Sequence, residues 1–188
     1  MGEASTDGRK LKGERRKKEL IEATIRVVAR DGVAGVSHRA VSKEAGQPPT
    51  SAAYHFKAID DLLTAALTSC MDQDAEGIRQ LTDASGGGAQ GVRALAARMV
   101  AAVAEAAHLQ AEFELYLLAA CRPELRDPPR RWLAAIEHFG RHYTDDPVRL
   151  RILAGTIDGM LMQALVTGEP PTSTEWEAVL RTILVPAE

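Results

Sequence analysis

The sequence predicts an all-α chain of about nine or ten helices, with a small three-helix unit at the N-terminus and a larger helical body behind it. Three observations carry this. Ala and Leu recur throughout while β-branched runs stay short, a composition that favours helices. Apolar residues return at three- and four-residue spacing in segment after segment, with no strand-like alternation and no internal repeat. Gly and Pro punctuate the chain where such helices would have to stop. With 188 residues, 45% of them hydrophobic, the chain can build a substantial core.

The elements follow in order. Residues 1–13 are rich in Gly, Ser, Asp and Lys and read as a disordered basic tail. The spacing of Leu20, Thr24, Val27 and Val28 predicts a first helix from about Glu14 to Asp31, stopped by Gly32. Ser37 offers an N-cap for a short helix reaching Ala45, and Gly46 ends it. The corner Gln47-Pro48-Pro49 leads into a third short helix over 50–56. Asp60 opens a long fourth helix to about Asp83, and Ser85-Gly86-Gly87-Gly88 is the clearest linker. Further helices are predicted over 91–107, 109–122, 129–143, 147–166 and 174–184, separated largely by prolines. The expected organisation is therefore a tail over 1–13, a reader over 14–59 and a body over 60–188.

Charge is unevenly spread. Up to Lys57 there are 12 Lys and Arg against 7 Asp and Glu, and beyond it 11 against 19. A basic head on an acidic body suits polyanion contact by the head alone, although a solvated basic tail gives the same imbalance. Cys70 and Cys121 lie in apolar helical stretches and form no disulfide framework. No stretch approaches the roughly 20 apolar residues of a membrane span, and no apolar segment follows the basic start. A soluble, cytoplasmic protein is expected.

The segment Ser37–Phe56 has the make-up of a helix-turn-helix: two short helices joined at a glycine corner, the second free to enter a major groove. Val41, Ala45, Ala52 and Phe56 would face inward, against Leu20 and Val27. Thr50, Ser51, Tyr54 and His55 would face outward, with hydroxyl and imidazole groups able to bond phosphates and base edges. Ser37, His38 and Arg39 begin the supporting helix, where free N–H groups favour a phosphate. A plain three-helix bundle with a polar surface would carry the same pattern.

These residues also resemble a known family. Arg39-Ala40-Val41-Ser42-Lys43-Glu44-Ala45-Gly46, then Tyr54-His55-Phe56 and Asp60-Asp61-Leu62-Leu63, are similar to the N-terminal signature of TetR-type regulators. Phe113-Glu114-Leu115-Tyr116 followed by Pro123-Glu124-Leu125-Arg126 is similar to stretches in effector domains of that family. The resemblance implies DNA contact by Thr50, Ser51, Tyr54 and His55. Two positions depart from the pattern: Ala53 stands where an aromatic is usual, and Ile59 where a phosphate-gripping lysine is common. Lys57 is the nearby cation that can supply the missing charge.

For the body, the resemblance implies effector binding and dimerisation. Trp132, Ile136, Phe139 and Tyr143 keep helical spacing, as do Leu153, Ile157, Met160, Leu161 and Leu165, and Gly155 and Gly159 lie four apart. On periodicity these stripes are core or interface. The resemblance favours an interface through Trp132, Ile136, Phe139, Leu153, Ile157, Met160 and Leu161. Met99, Val103, Phe113, Tyr116, Leu117 and Trp132 are candidate walls of an effector pocket, or plain core. Glu105, Glu112, Glu114 and Asp158 belong mostly to the surface, but any one that is buried would favour a cationic or hydrogen-bonding ligand.

His138 and His142 could share a metal but lack an evident third ligand, and no metal or cofactor is expected. No nucleophile–base pair, phosphate loop or zinc motif is found, so an all-helical enzyme is the remote reading. The expected partners are a pseudo-palindromic double-stranded DNA operator, a second copy of the chain and a small-molecule effector. The expected function is a repressor released from its operator by that effector. A regulator without a ligand, an activator, or a non-specific DNA-coating protein remain alternatives, the last marked by steep salt dependence.

Overall fold

Helix formation begins earlier than the sequence suggests. In the computed structural model, which describes residues 3–185 and side chains from residue 11 onward, α1 spans Glu3–Asp31. The segment expected to be a disordered tail is thus helical from residue 3, while residues 1 and 2 lie outside the described part. Residues 3–13 contain no proline, so nothing in them breaks the helix seeded by the apolar face further along. That face, Leu20, Ala23, Thr24, Val27 and Val28, is free of solvent. The Thr24 hydroxyl donates to the Leu20 carbonyl at 2.8 Å, so its burial leaves no polar group unpaired.

After a 3₁₀ turn at Val33–Gly35 come α2 (His38–Glu44) and α3 (Ser51–His55). Ser37 caps α2, its hydroxyl accepting from the Ala40 N–H at 3.1 Å. Gly46 turns the corner at φ +62°, a conformation that glycine adopts without steric cost. Ser42, fully buried, accepts from the Ala52 N–H at 3.0 Å and so pins the start of α3 to α2. Arg26 and Arg30 of α1 bind Glu44 at 2.9 and 2.7 Å, and their hydrogen bonds hold that carboxyl below its ordinary range. Ala45, expected inside, closes α2 as its C-cap and is half-buried against the core.

The body contains α4 (Ile59–Ser85), α5 (Gly88–Ala104), α6 (Ala106–Cys121), α7 (Asp127–Gly140), α8 (Pro147–Thr167) and α9 (Ser173–Leu184). A second 3₁₀ turn, Pro123–Leu125, joins α6 to α7. Nine α-helices therefore account for the regular structure of the described residues, with no strands among them. Helix α4 buries Leu62, Leu63, Ala66, Leu67, Cys70, Met71, Ala75, Ile78 and Thr82, a continuous stripe along its length. It packs on α1 at one end and on α5, α6 and α7 further along. Gly86, Gly87 and Gly88 all take positive φ, so the predicted linker is a two-residue hinge between α4 and α5. The break between α5 and α6 falls at Glu105, which carries no Gly or Pro signal and lies three residues before its expected place.

Helix α8 corrects another expectation. Within its 21 residues an 18-residue window reaches a mean hydropathy of 1.2, enough by length and composition to cross a membrane, where the sequence reading found no such stretch. Only 28% of that apolar window is buried inside the protomer.

Ser42→Ala leaves the buried Ala52 N–H without a partner. It is expected to destabilise the chain by about 1–3 kcal/mol, read as a lower urea midpoint. A midpoint unchanged from the parent would show that the hydroxyl does not pin α3.

Candidate functional site

The outward side of α3 is built on a short, well-pinned helix. Tyr54 is 84% exposed, with His55 edge-on to it at a centroid distance of 5.1 Å. Thr50, Arg39 and Lys57 are exposed, and Ser37 is exposed but occupied as a cap. Ser51 is half-buried and donates to the Gln47 side-chain oxygen at 2.6 Å. Gln47 in turn donates to the Arg16 carbonyl and to Glu19, at 3.1 and 2.9 Å, which fixes α3 against α1. His38 departs from its expected part: its Nε2 pairs with the Phe56 carbonyl at 2.8 Å, so the ring closes the end of α3 rather than standing free. Beside α3 runs an open groove of about 750 Å³ lined by Lys12, Arg16, Thr50, Ser51, Tyr54 and His55. Lys12 and Arg16 were not singled out in the sequence, where they sat in an undifferentiated basic run. Their place beside α3 depends on how α1 lies across it. Hydroxyls and imidazole flanked by cations form a surface that can hydrogen-bond anionic oxygens.

A second feature lies inside the body. A cavity of about 510 Å³ is bounded by Gln73 and Asp74 of α4, Arg98 and Met99 of α5, Leu109 and Glu112 of α6, Trp132 of α7 and Leu161 of α8. Glu105 and His108 stand at its α5–α6 corner. A small annex of about 20 Å³, floored by Met71, Phe113, Tyr116 and Asp158, shares Glu112 and Trp132 with it. Arg98 binds Asp74 at 2.7 Å, and the Tyr116 hydroxyl donates to Asp158 at 3.5 Å. Burial first, and the neighbouring charges of Asp74 and Asp158 next, push the Glu112 carboxyl up to about 9, against the pull of Arg98. Burial also raises Asp158, opposed by hydrogen bonds from Trp132 and Tyr116. The Cys70 thiol, buried on α4, is pushed up to about 12 by burial and then by Glu112 and Asp74.

Two polar links run from α6 toward the N-terminal unit, one reaching it and one reaching the start of α4 beside it. The Glu114 carboxylate accepts from the Val33 N–H at 2.8 Å, in the turn that ends α1. Arg122, just past α6, binds Asp60 in the first turn of α4 at 2.5 Å. Neither pair could be read from the sequence, where the partners are 81 and 62 residues apart.

A sequence model described as "Tetracyclin repressor-like, C-terminal domain" matches residues 87–186, more than half of the chain. The chain belongs to the TetR family. Among solved structures, a TetR-family member from Streptomyces coelicolor A3 superposes with a TM-score of 0.76 at 32% identity, covering 92% of this chain and 99% of that one. The multidrug binding protein EbrR complexed with malachite green gives a TM-score of 0.72 at 32% identity, covering 93% and 99%. The nicotine-responsive transcriptional repressor HdnoR of Paenarthrobacter nicotinovorans is 31% identical over 120 residues, a match spanning 61% of this chain and 60% of that repressor.

On this TetR-family scaffold the expected pocket residues divide. Met99 and Trp132 line the cavity, and Phe113, Tyr116 and Trp132 line its annex. Val103 is half-buried against the core and lines neither. Leu117 is 59% exposed, on the outer face of α6 with Gln110 and Cys121. Helix α6 is apolar nearly all round, so its periodicity could not tell inner from outer face. The expected interface residues are corrected more broadly. Trp132, Ile136, Phe139, Leu153, Ile157 and Leu161 are buried within the protomer, and Met160 is half-buried. The outward face of α8 carries Val148, Ile152, Gly155, Gly159, Met162 and Val166 instead, at alternating steps of four and three. A Cβ placed on Gly155 or Gly159 would meet nothing within 4 Å. His138 and His142 are both exposed, and no group of three metal-ligating side chains is found among the described residues.

Glu112 sets a pH dependence. The folded chain keeps this proton up to about 9, whereas the unfolded chain releases it in the ordinary carboxyl range. The unfolded state then binds fewer protons, so stability is full below that range and falls as pH rises toward 9. The melting temperature is expected to decline between pH 6 and 9, and to decline less in Glu112→Gln, which stays neutral throughout. Melts of the two proteins that run parallel across this range would count against the assignment.

Proposed function

We propose that the chain is a homodimeric repressor that holds a pseudo-palindromic operator with the α2–α3 unit of each protomer and releases it when an aromatic cation enters the body cavity. The observation that carries this reading is α4: it follows α3 after Phe56, Lys57 and Ala58 and packs on α1 of the head, and Gln73 and Asp74 on the same helix line the cavity. A ligand lodged there with a better fit to one setting of α4 than to another shifts the spacing of the two heads. Helix α6 offers a parallel route, since it lines the cavity through Glu112, touches the head through Glu114, and is tied at its end by Arg122 to the first turn of α4.

The side chains proposed to meet DNA are Thr50, Tyr54 and His55 on α3, with Arg39, Lys57, Lys12 and Arg16 as phosphate contacts. Ser37, His38 and Ser51 support them through bonds within the unit. The cations of α1 replace the charge that Ile59 does not supply. The ligand class is supported by the acidic, aromatic-lined cavity and by relatives: EbrR is described in complexes with ethidium and malachite green, and HdnoR as nicotine-responsive. All three compounds are cations or amine bases.

The second copy is proposed to pack on the outward stripe of α8. It is apolar, unpartnered in the protomer and has glycines at its centre, which lets two such helices approach closely. Two heads held this way read half-sites about one DNA turn, roughly 34 Å, apart.

Gel shifts with the chain's own promoter region test the reading. Tyr54→Ala is expected to weaken the specific complex at least tenfold with an unchanged circular dichroism spectrum, and added ethidium is expected to release the parent protein. Absence of any sequence-specific complex for the dimer at moderate salt would sink the proposal. In sedimentation velocity, Ile152→Arg is expected to shift the protein from dimer to monomer, and a persisting dimer would move the interface off α8.

A further inference from the structure

The four carboxyls around the cavity and its annex are unequally served, with Glu105 at the exposed α5–α6 corner and the other three further in. Asp74 has Arg98 at 2.7 Å, and Asp158 receives Tyr116 and Trp132. Glu112 lines the same cavity as Asp74 and has no salt bridge of its own among the described residues. Two carboxyls on one cavity, partly closed to water, repel each other when both are ionised. Glu112, which has no arginine of its own, is the one whose charged form burial disfavours.

We propose that Glu112 is the residue that reads the ligand's positive charge, and that it does so by exchange: the aromatic cation enters, the carboxyl proton leaves to water, and cation and carboxylate remain as a pair. This rests on the reading of the cavity as a cation site. The balance is complete with no other reactant, since one positive charge arrives and one departs. In the empty cavity Glu112 is neutral, so the body folds without an uncompensated buried anion. A neutral aromatic ligand displaces no proton and gains only apolar contact with Trp132, Met99 and Leu161. A cation gains in addition a charge pair in a poorly screened site.

The groups that share the cavity and its annex with Glu112 or act on it are Cys70, Gln73 and Asp74 on α4, Arg98 on α5, Glu105 between α5 and α6, His108 and Tyr116 on α6, Trp132 on α7 and Asp158 on α8. Glu112→Gln removes the Glu112 carboxyl alone, so the test separates its part from that of all the others. Burial and the adjacent carboxylates hold the Glu112 proton on through neutral pH, which sets the range in which the exchange is visible.

The full-length protein is titrated with N-methylacridinium, a flat aromatic cation with no proton of its own to lose. Calorimetry is run between pH 6 and 8 in two buffers of different ionisation enthalpy. About one proton released per ligand is expected, with affinity rising about tenfold per pH unit. Glu112→Gln, which copies the neutral carboxyl and keeps the fold, is expected to bind at least tenfold more weakly at pH 8, with no proton release and no pH slope. His108→Asn is expected to keep both. Binding by the parent protein with a flat pH profile overturns the exchange while leaving the cation reading intact. A slope retained in Glu112→Gln overturns the assignment to Glu112. No binding at any pH overturns the cation reading and this inference with it.

Discussion

One helix has to satisfy two cores. Helix α4 buries Leu62, Leu63, Ala66 and Leu67 near the N-terminal unit, and Cys70, Met71, Ala75 and Ile78 deep in the body. At roughly 25 cal/mol per Å² of apolar surface removed from water, neither end can leave its neighbours without a large loss. Anything that displaces α4 in the body therefore has to be met by adjustment at the head. The polar links of α6 follow the same logic, because Glu114 binds the head where α1 ends and Arg122 binds α4 where it begins.

Polar groups inside the molecule divide into those that stabilise and those held for use. Thr24 and Thr82 return their hydroxyls to their own helices, and Ser42 receives an N–H from α3. Each is fully satisfied and rigidifies its surroundings. The carboxyls of the cavity are different. Asp74 pairs with Arg98 and Asp158 with Tyr116, whereas Glu112 has no such partner and burial disfavours its charged form. A site arranged only for stability would have replaced that acid with an apolar residue. Its retention beside Trp132 is what supports a ligand that brings its own positive charge.

Helix α8 shows the same division in apolar form. Leu150, Leu153, Ile157, Leu161 and Ala164 point into the protomer, while Val148, Ile152 and Val166 point away from it. With apolar residues on both sides, the helix has little net amphipathicity and a hydropathy in the range of a membrane span. In the proposed dimer both properties have one cause, because a helix between a core and a second subunit has little need of a polar face.

The sequence by itself determined the helical class, the punctuation and the N-terminal unit. Local chemistry sufficed there: Ser37 as a cap, Gly46 at positive φ, and Val41, Ala52 and Phe56 at inward positions. Local spacing also found the Gly86–Gly88 hinge and most helix ends, but not the start of α1, nor the break at Glu105, which carries no local signal. What the tertiary structure decided was direction. It sent Leu117 outward and Glu112 inward, put the Trp132–Phe139 and Leu153–Leu161 stripes into the protomer's own core, and turned Ile152 and the two glycines of α8 to the outside. It also engaged His38 with Phe56 and brought Lys12 and Arg16 beside Tyr54. The reason is physical: period 3.6 shows that a helix has an apolar face, but on helices apolar all round, such as α6 and α8, it cannot say which neighbour each face meets.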